Sequence, residues 1–322
     1  MLNFNLLNFD TEEDYDNSEV LCGLQNSIQK VINPKFFYDK KGSELFDKIT
    51  TLNEYYPTKT ELEILEKEKK TLKKSLPRSS VVIEFGSGSN IKIKKFLDAL
   101  NNPTEYIPID ISKKHLKKNA ADFAKKNPHM KVTAICADFN SFKSLDYILN
   151  HNKNKIGFFP GSTIGNFVPI QAKTLLKNIA KILGPKNYLV IGVDLKKKIS
   201  VIEKAYNDSS GITAKFNKNV LNNINKKYGA SFDVENFEHN AFYNKKKNRI
   251  EMHLKSKKFH TVKLMGQKIV FNKGETIHTE NSYKYSINDF VKIAISSGYE
   301  LVEILTDKKE FFGVFCLKIK KN

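Results

Sequence analysis

Arginine is nearly missing from this chain. Of its 54 basic residues only Arg78 and Arg249 are arginine, although the formal net charge is +19. Sequence-specific readout of bases leans on bidentate arginine, so the charge alone does not imply nucleic-acid recognition. The lysines are spread over every predicted helix, as at Lys69–Lys70, Lys113–Lys114 and Lys196–Lys198. They read as solvated surface, with weak, salt-sensitive association with polyanions as the most the charge asks for. Cysteine is scarce as well. Cys22, Cys136 and Cys316 lie far apart, without metal-ligand spacing or a disulfide framework, which fits a reducing cytosol. Glycine (15) and proline (9) are too few for a fibrous chain, and 40% hydrophobic residues are too many for a disordered one. Long apolar runs are also missing: stretches such as Tyr188–Val193 fall far short of a bilayer span. The N-terminus has no basic n-region and turns acidic at Asp10, unlike a secretory signal. The seven histidines show no HExxH or paired-ligand spacing, so no metal is expected. There is no GxSxG elbow and no Walker A loop.

What is present is alternation. Val81–Phe85 is a short β-branched run ending in the turn Gly86-Ser87-Gly88-Ser89. Ile91–Leu100 follows with helical spacing. Tyr106–Ile111, Val132–Cys136, Gly157–Phe159 and Tyr188–Val193 read as further strands, with helices predicted over Lys113–Lys126 and Ile170–Leu183. Strand and helix in turn imply a doubly wound parallel sheet. Near the C-terminus a helix over Ile287–Ser297 precedes two strand-like runs, Tyr299–Leu305 and Phe311–Ile319. A terminal antiparallel hairpin on five parallel strands is the layout of class I S-adenosylmethionine-dependent methyltransferases, an α/β Rossmann-like fold. Pro108 sits badly inside a strand that would be internal, and is expected at a bulge or near the strand's end. Residues 196–286 interrupt the alternation and read as an inserted α+β substrate lobe. Residues 1–61 are expected to belong to that lobe, with the first ~20 disordered. Residues 62–195 and 287–322 make the core.

The Gly86 turn follows a strand and opens a helix, where glycine lets the backbone approach a ligand closely. It does not complete GxGxxG, since Ile91 takes the third glycine position. Asp110, at the tip of the next strand, is placed to accept both hydroxyls of a ribose. Asp138-Phe139, at the tip of the third, could hold adenine by a carboxylate contact and an aromatic wall. A dinucleotide and S-adenosylmethionine both fit these features, and the terminal hairpin favours the second.

Further segments are more specific: Phe36-Phe37-Tyr38-Asp39, Gly42-Ser43-Glu44-Leu45-Phe46-Asp47, Glu54-Tyr55-Tyr56-Pro57-Thr58, Gly161-Ser162-Thr163-Ile164-Gly165-Asn166, Ala205-Tyr206-Asn207-Asp208 and Phe216-Asn217-Lys218-Asn219-Val220-Leu221. Together they resemble the histidine-specific α-N-methyltransferases of ergothioneine biosynthesis, over nearly the whole chain from about residue 30. The resemblance implies trimethylation of the α-amine of L-histidine to the betaine hercynine, with S-adenosylmethionine as methyl donor. It implies that Gly86, Gly88, Lys92, Asp110, Asp138 and Phe139 line the cofactor pocket. Asn166 and Tyr206 would hold the substrate carboxylate. Tyr38, Phe46 and Gly161 would flank the amine and the methyl-transfer path. Tyr56, Met252, Glu280 and Ser282 would read the imidazole. Glu280 can accept from one ring N–H and Ser282 can serve the other nitrogen. Two apart on a strand, they share a face. The expectation is a cytoplasmic, monomeric enzyme acting on a small molecule, with no specific nucleic acid and no membrane. Two other readings remain open: the same fold methylating a different amino acid or amine, and a basic RNA-binding protein without turnover.

Overall fold

A computed structural model describes residues 3–9, 17–138 and 153–321. The chain divides into two compact units. One takes residues 1–11, 57–196 and 284–322, the other 12–56 and 197–283. Strands are numbered along the chain.

The first unit is built on an eight-stranded sheet. Its strands are β1 (Phe4–Asn8), β3 (Val81–Phe85), β4 (Glu105–Asp110), β5 (Lys131–Cys136), β6 (Lys155–Phe159), β7 (Tyr188–Asp194), β13 (Tyr299–Thr306) and β14 (Phe312–Ile319), in the order β1-β5-β4-β3-β6-β7-β14-β13. β1 through β7 in that order are parallel, and β14 enters antiparallel between β7 and β13. This is the class I methyltransferase sheet with one more strand. β3 to β6 are buried at almost every position, as a parallel sheet covered on both faces must be. Helices Asn90–Asp98, Lys113–Lys126, Pro169–Leu183 and Ile287–Ser296 supply the cover. Phe96 stacks on Phe158 at 4.2 Å between ring centroids in that core.

One expectation needs correction and a second holds in part. The opening residues do not join the lobe: Phe4–Asn8 pairs with β5 as an edge strand, and the Phe9 amide donates to the Cys136 carbonyl. Alternating Phe4 and Leu6 packs on the core of this unit, which is why the segment is ordered. Pro108 marks no bulge, although it does lie near the strand's end, two residues before Asp110. It pairs in register with Glu84 on one side, while on the other the ladder to β5 is interrupted at Ile107 and Pro108 and resumes in the same register at Ile109. The missing N–H is absorbed as a gap in one ladder.

At the end of β7 the Asp194 carboxylate meets the Lys284 ammonium at 2.6 Å, both wholly buried. The backbone there pairs Leu195 with Tyr285. A buried pair of this kind depends on having both partners, and it fixes where the chain re-enters the first unit.

The second unit holds a four-stranded sheet, β2 (Lys30–Val31), β12 (Thr276–Tyr283), β9 (Arg249–Ser256) and β8 (Phe237–Asn244), in that order, and a hairpin of β10 (His260–Leu264) and β11 (Gln267–Phe271). Helices Asn17–Gln25, Lys40–Ile49, Ile199–Tyr206 and Ile212–Tyr228 complete it. The last of these was not foreseen. Its buried residues Phe216, Val220, Leu221 and Ile224 follow helical spacing but are diluted by asparagines, of which Asn217 and Asn219 are themselves buried. Strand β8 was also missed, because FEHNAFYN alternates weakly.

Candidate active site

In an open parallel sheet, ligands bind beyond the carboxyl ends of the strands. β3 ends in Glu84-Phe85 and turns at Gly86, whose φ of +77° is a glycine conformation. The amides of Gly86 and Ser87 both donate to the Ile109 carbonyl at 3.0 Å, which ties the turn to the tip of β4. A Cβ at Gly88 would meet nothing within 4 Å, so the loop faces open space there. Asp110 closes β4 and accepts from the Ser112 amide at 2.8 Å. Burial pushes its carboxyl up to about 6, against the pull of the Ser112 and Ile111 amides. Beneath the turn lies Glu84. The Tyr106 hydroxyl donates to it and shares a hydrogen bond with Ser87 at 3.1 Å. Burial pushes the Glu84 carboxyl up to about 7, although the two hydroxyls and Lys92 pull it down. Asp138 follows β5 and is half-buried. Phe139 lies outside the described residues.

β6 ends at Phe159 and turns through Gly161 (φ +78°) and Ser162 (φ 60°). The Asp194 amide donates to the Ser162 hydroxyl at 2.9 Å. The Gly161 amide donates to both oxygens of Glu61, at 3.1 and 2.9 Å. Glu61 also pairs with the Lys92 ammonium at 2.8 Å. Lys92 and Gly161, far apart in sequence, are thereby joined by a residue that sequence reasoning missed. The signal was there: Glu61 lies in the buried stripe Pro57, Thr58, Ile64, Leu65 of helix Tyr56–Lys67, where an apolar residue is expected. Asn166 ends the short turn Thr163–Asn166, half-buried.

The second unit gathers the other candidates. Tyr38 and Phe46 meet edge to face at 6.0 Å, and Phe46 contacts Tyr55 at 6.3 Å and Phe216 at 5.9 Å. Tyr55 in turn meets Tyr206 at 6.4 Å. Tyr55 and Phe216 thus join a cluster of aromatic faces that sequence reasoning attributed to Tyr38 and Phe46 alone. The Tyr206 hydroxyl donates to Ser282 at 2.7 Å, bringing together residues assigned to opposite ends of the substrate. Glu280 and Ser282 oppose Met252 and Ile250 on β9, so all four share one face of the sheet. A bulge at Thr279 sets that register. Its hydroxyl lies 2.7 Å from the Asn217 side-chain oxygen. Asn217, fully buried, also donates to the His253 carbonyl and to His239. His239 donates from its other nitrogen to the Tyr206 carbonyl at 2.9 Å, and burial holds it below the usual histidine range. Tyr56 takes a hydrogen bond from Lys197 at 2.8 Å, with the ammonium 4.4 Å from its ring centroid.

The donor set of the first unit fits a nucleoside with an amino-acid end. It has a glycine turn with open space, a carboxylate at the β4 tip for ribose hydroxyls, and a lysine for a carboxylate. The family model described as "Histidine-specific methyltransferase, SAM-dependent" matches residues 16–319. The chain belongs to that family. It is 33% identical to the histidine N-alpha-methyltransferase of Mycolicibacterium smegmatis over 96% of this chain and 97% of the relative. With the enzyme of the same name from Mycobacterium tuberculosis it shares 34% over 92% of each. Ergothioneine biosynthesis protein 1 of Neurospora crassa is 29% identical over 91% of this chain, which spans 35% of that longer relative.

One cluster stands apart from these family features. Glu251, His253 and His278 bring ligand-type atoms within 4.8 Å of one another, although sequence spacing pointed to no metal. They occupy the face of β9 and β12 opposite to Met252 and Glu280. The two imidazoles stack at 4.6 Å and 7°. Rings in parallel planes cannot both aim a lone pair at one ion ~2.1 Å from each. Arg249 already binds Glu251. The cluster is a hydrogen-bonded layer, in which burial pushes the His278 imidazole down to about 4 with His253 and Arg249 adding to the effect and Glu251 opposing it.

Proposed function

We propose that this chain transfers three methyl groups in turn from S-adenosylmethionine to the α-amine of L-histidine, giving hercynine, the first step of ergothioneine biosynthesis. The observation that carries the reading is the similarity to a histidine N-alpha-methyltransferase along 96% of the chain. The second unit's aromatic cluster supports it, because a betaine product needs faces that attract a quaternary ammonium.

When bound, the cofactor supplies a methyl group on a sulfonium. The chain's own residues bind and orient. Asp110, ionised above about pH 6, accepts from the ribose hydroxyls, with the Gly86–Gly88 turn beside it. Asp138 and Phe139 take the adenine, and Lys92 takes the carboxylate of the cofactor. Asn166 and Tyr206 hold the carboxylate of histidine. Glu280, with Ser282 beside it, accepts from the imidazole N–H, and Met252 and Tyr56 pack against the ring. An ammonium cannot attack, so the amine loses a proton before each transfer; Tyr38 and water are the two candidate acceptors. Holding nitrogen, methyl and sulfur in line is the fold's main contribution to rate. Glu280 is half-buried in the structure; once histidine covers it, an amino acid without a ring N–H to offer would be rejected by roughly 1–3 kcal/mol. The three free cysteines are consistent with action in a reducing cytosol. Among the described residues, no helix is long and apolar enough to cross a membrane.

Mass spectrometry of each of the twenty amino acids incubated with protein and S-adenosylmethionine tests the reading. Mono-, di- and trimethylated histidine should accumulate, with the other amino acids unchanged. Turnover of another amino acid with histidine untouched would transfer the chain to a different substrate.

A further inference from the structure

Glu61 is a carboxylate with no solvent exposure, and taking a charge out of water is costly unless it is paired. Its partners are the Gly161 amide and the Lys92 ammonium. The surroundings are shaped for it. A Cβ at Gly192, on β7, would lie 2.1 Å from a Glu61 oxygen, so only glycine leaves that oxygen its place. Gly161 adopts φ +78°, and a Cβ there would come within 3.2 Å of the Lys92 nitrogen. Lys92 keeps 16% of its side chain exposed, so it is held by Glu61 without being sealed into the core. A fold that needed only filled volume would be served as well by apolar residues at 61 and 92.

We propose that Glu61 is a positioning residue of the cofactor site, fixing the Lys92 ammonium and the Gly161 turn so that the carboxylate of the cofactor's amino-acid end meets a pre-placed cation. This rests on the reading that Lys92 lines the cofactor pocket and Gly161 flanks the methyl-transfer path. A lysine held by a buried carboxylate loses less rotamer freedom when the ligand arrives, and that saving is the source of the effect.

The experiment measures S-adenosylhomocysteine binding by calorimetry and steady-state kinetics for the full chain carrying E61Q, E61D, K92M and E61Q/K92M. Glutamine at 61 keeps the volume and an acceptor for the Gly161 amide but drops the charge. E61Q should bind S-adenosylhomocysteine about ten-fold more weakly and raise KM for S-adenosylmethionine by a like factor, with KM for histidine within about two-fold. E61D should recover part of the loss. K92M should lose affinity too, and E61Q should add nothing to it, because Glu61 acts through Lys92. Equal or tighter binding by E61Q, or losses that add in the double variant, would overturn the inference while leaving the cofactor assignment intact. So would an E61Q protein that does not fold, since the carboxylate would then serve stability alone. If K92M binds S-adenosylhomocysteine as the parent does, the assignment of Lys92 to the pocket fails instead.

Discussion

Glu84 shows how far one side chain's surroundings can move its chemistry. In the unfolded chain it titrates near 4.5, and in the fold at about 7, because burial disfavours its charged form. Between those values the unfolded chain gives up its proton first, so stability falls as pH rises through this window. The loss is complete above about pH 7 and is on the order of 3 kcal/mol at most. Asp110 adds to it in the same direction between 3.8 and about 6. Glu84→Gln keeps an acceptor for the Tyr106 hydroxyl and removes the charge. Urea denaturation should find the variant more stable than the parent by about 1–3 kcal/mol near pH 8 and no more stable near pH 4. A gain of the same size at both pH values would mean that charge burial is not its cause. The glycine turn and Asp110 were legible in the sequence because their position after a strand announces them. Glu84 and Glu61 were not, since their meaning depends on what lies across the sheet or on another helix.

At the scale of elements, β12 carries the argument. Alternation along Thr276–Tyr283 would put Ile277 and Thr279 on one face and Glu280 on the other. The bulge at Thr279 reverses this, so Ile277, Glu280 and Ser282 share a face. Asn217 holds the bulge, and through His239 it also holds the Tyr206 carbonyl. Asn217→Ala takes a donor from the His253 carbonyl and from His239, while the Thr279 hydroxyl keeps only the Met252 carbonyl. It should cost about 2 kcal/mol of unfolding free energy in urea denaturation and raise KM for histidine more than KM for S-adenosylmethionine. A variant within about 0.5 kcal/mol of the parent would remove Asn217 from that role. The pairing of Glu280 with Ser282 was readable two residues apart. The bulge was not, because an extra residue in a ladder has no signature until its partner strand is known.

For the molecule as a whole, the charge of +19 is the most conspicuous property and the least informative about function. Lysines on solvated faces attract any polyanion and recognise none. Filter binding to mixed-sequence RNA should therefore give affinities no tighter than about 1 μM near physiological salt, falling steeply as salt is raised. Sequence-selective binding that survives moderate salt would reopen a nucleic-acid role. The first unit draws on three stretches of chain, and its β14 enters between β7 and β13 only after the second unit's last stretch has been passed. The order of strands is thus a property of the whole chain and of no segment.

Local pattern sufficed for the parallel strands β3 to β7 and for the helices Asn90–Asp98, Lys113–Lys126 and Pro169–Leu183. Apolar periodicity, β-branched runs and glycine stops act over a few residues, so β3 and helix Lys113–Lys126 could be bounded to the residue. Motifs long enough to be rare carried the family in the same way. The edge strand Phe4–Asn8, the Glu61–Lys92 pair and the Asn217 hub came only from the folded chain. Each is a contact between residues distant in sequence. A side chain's partner across such a gap is chosen by packing, which no stretch of sequence encodes by itself.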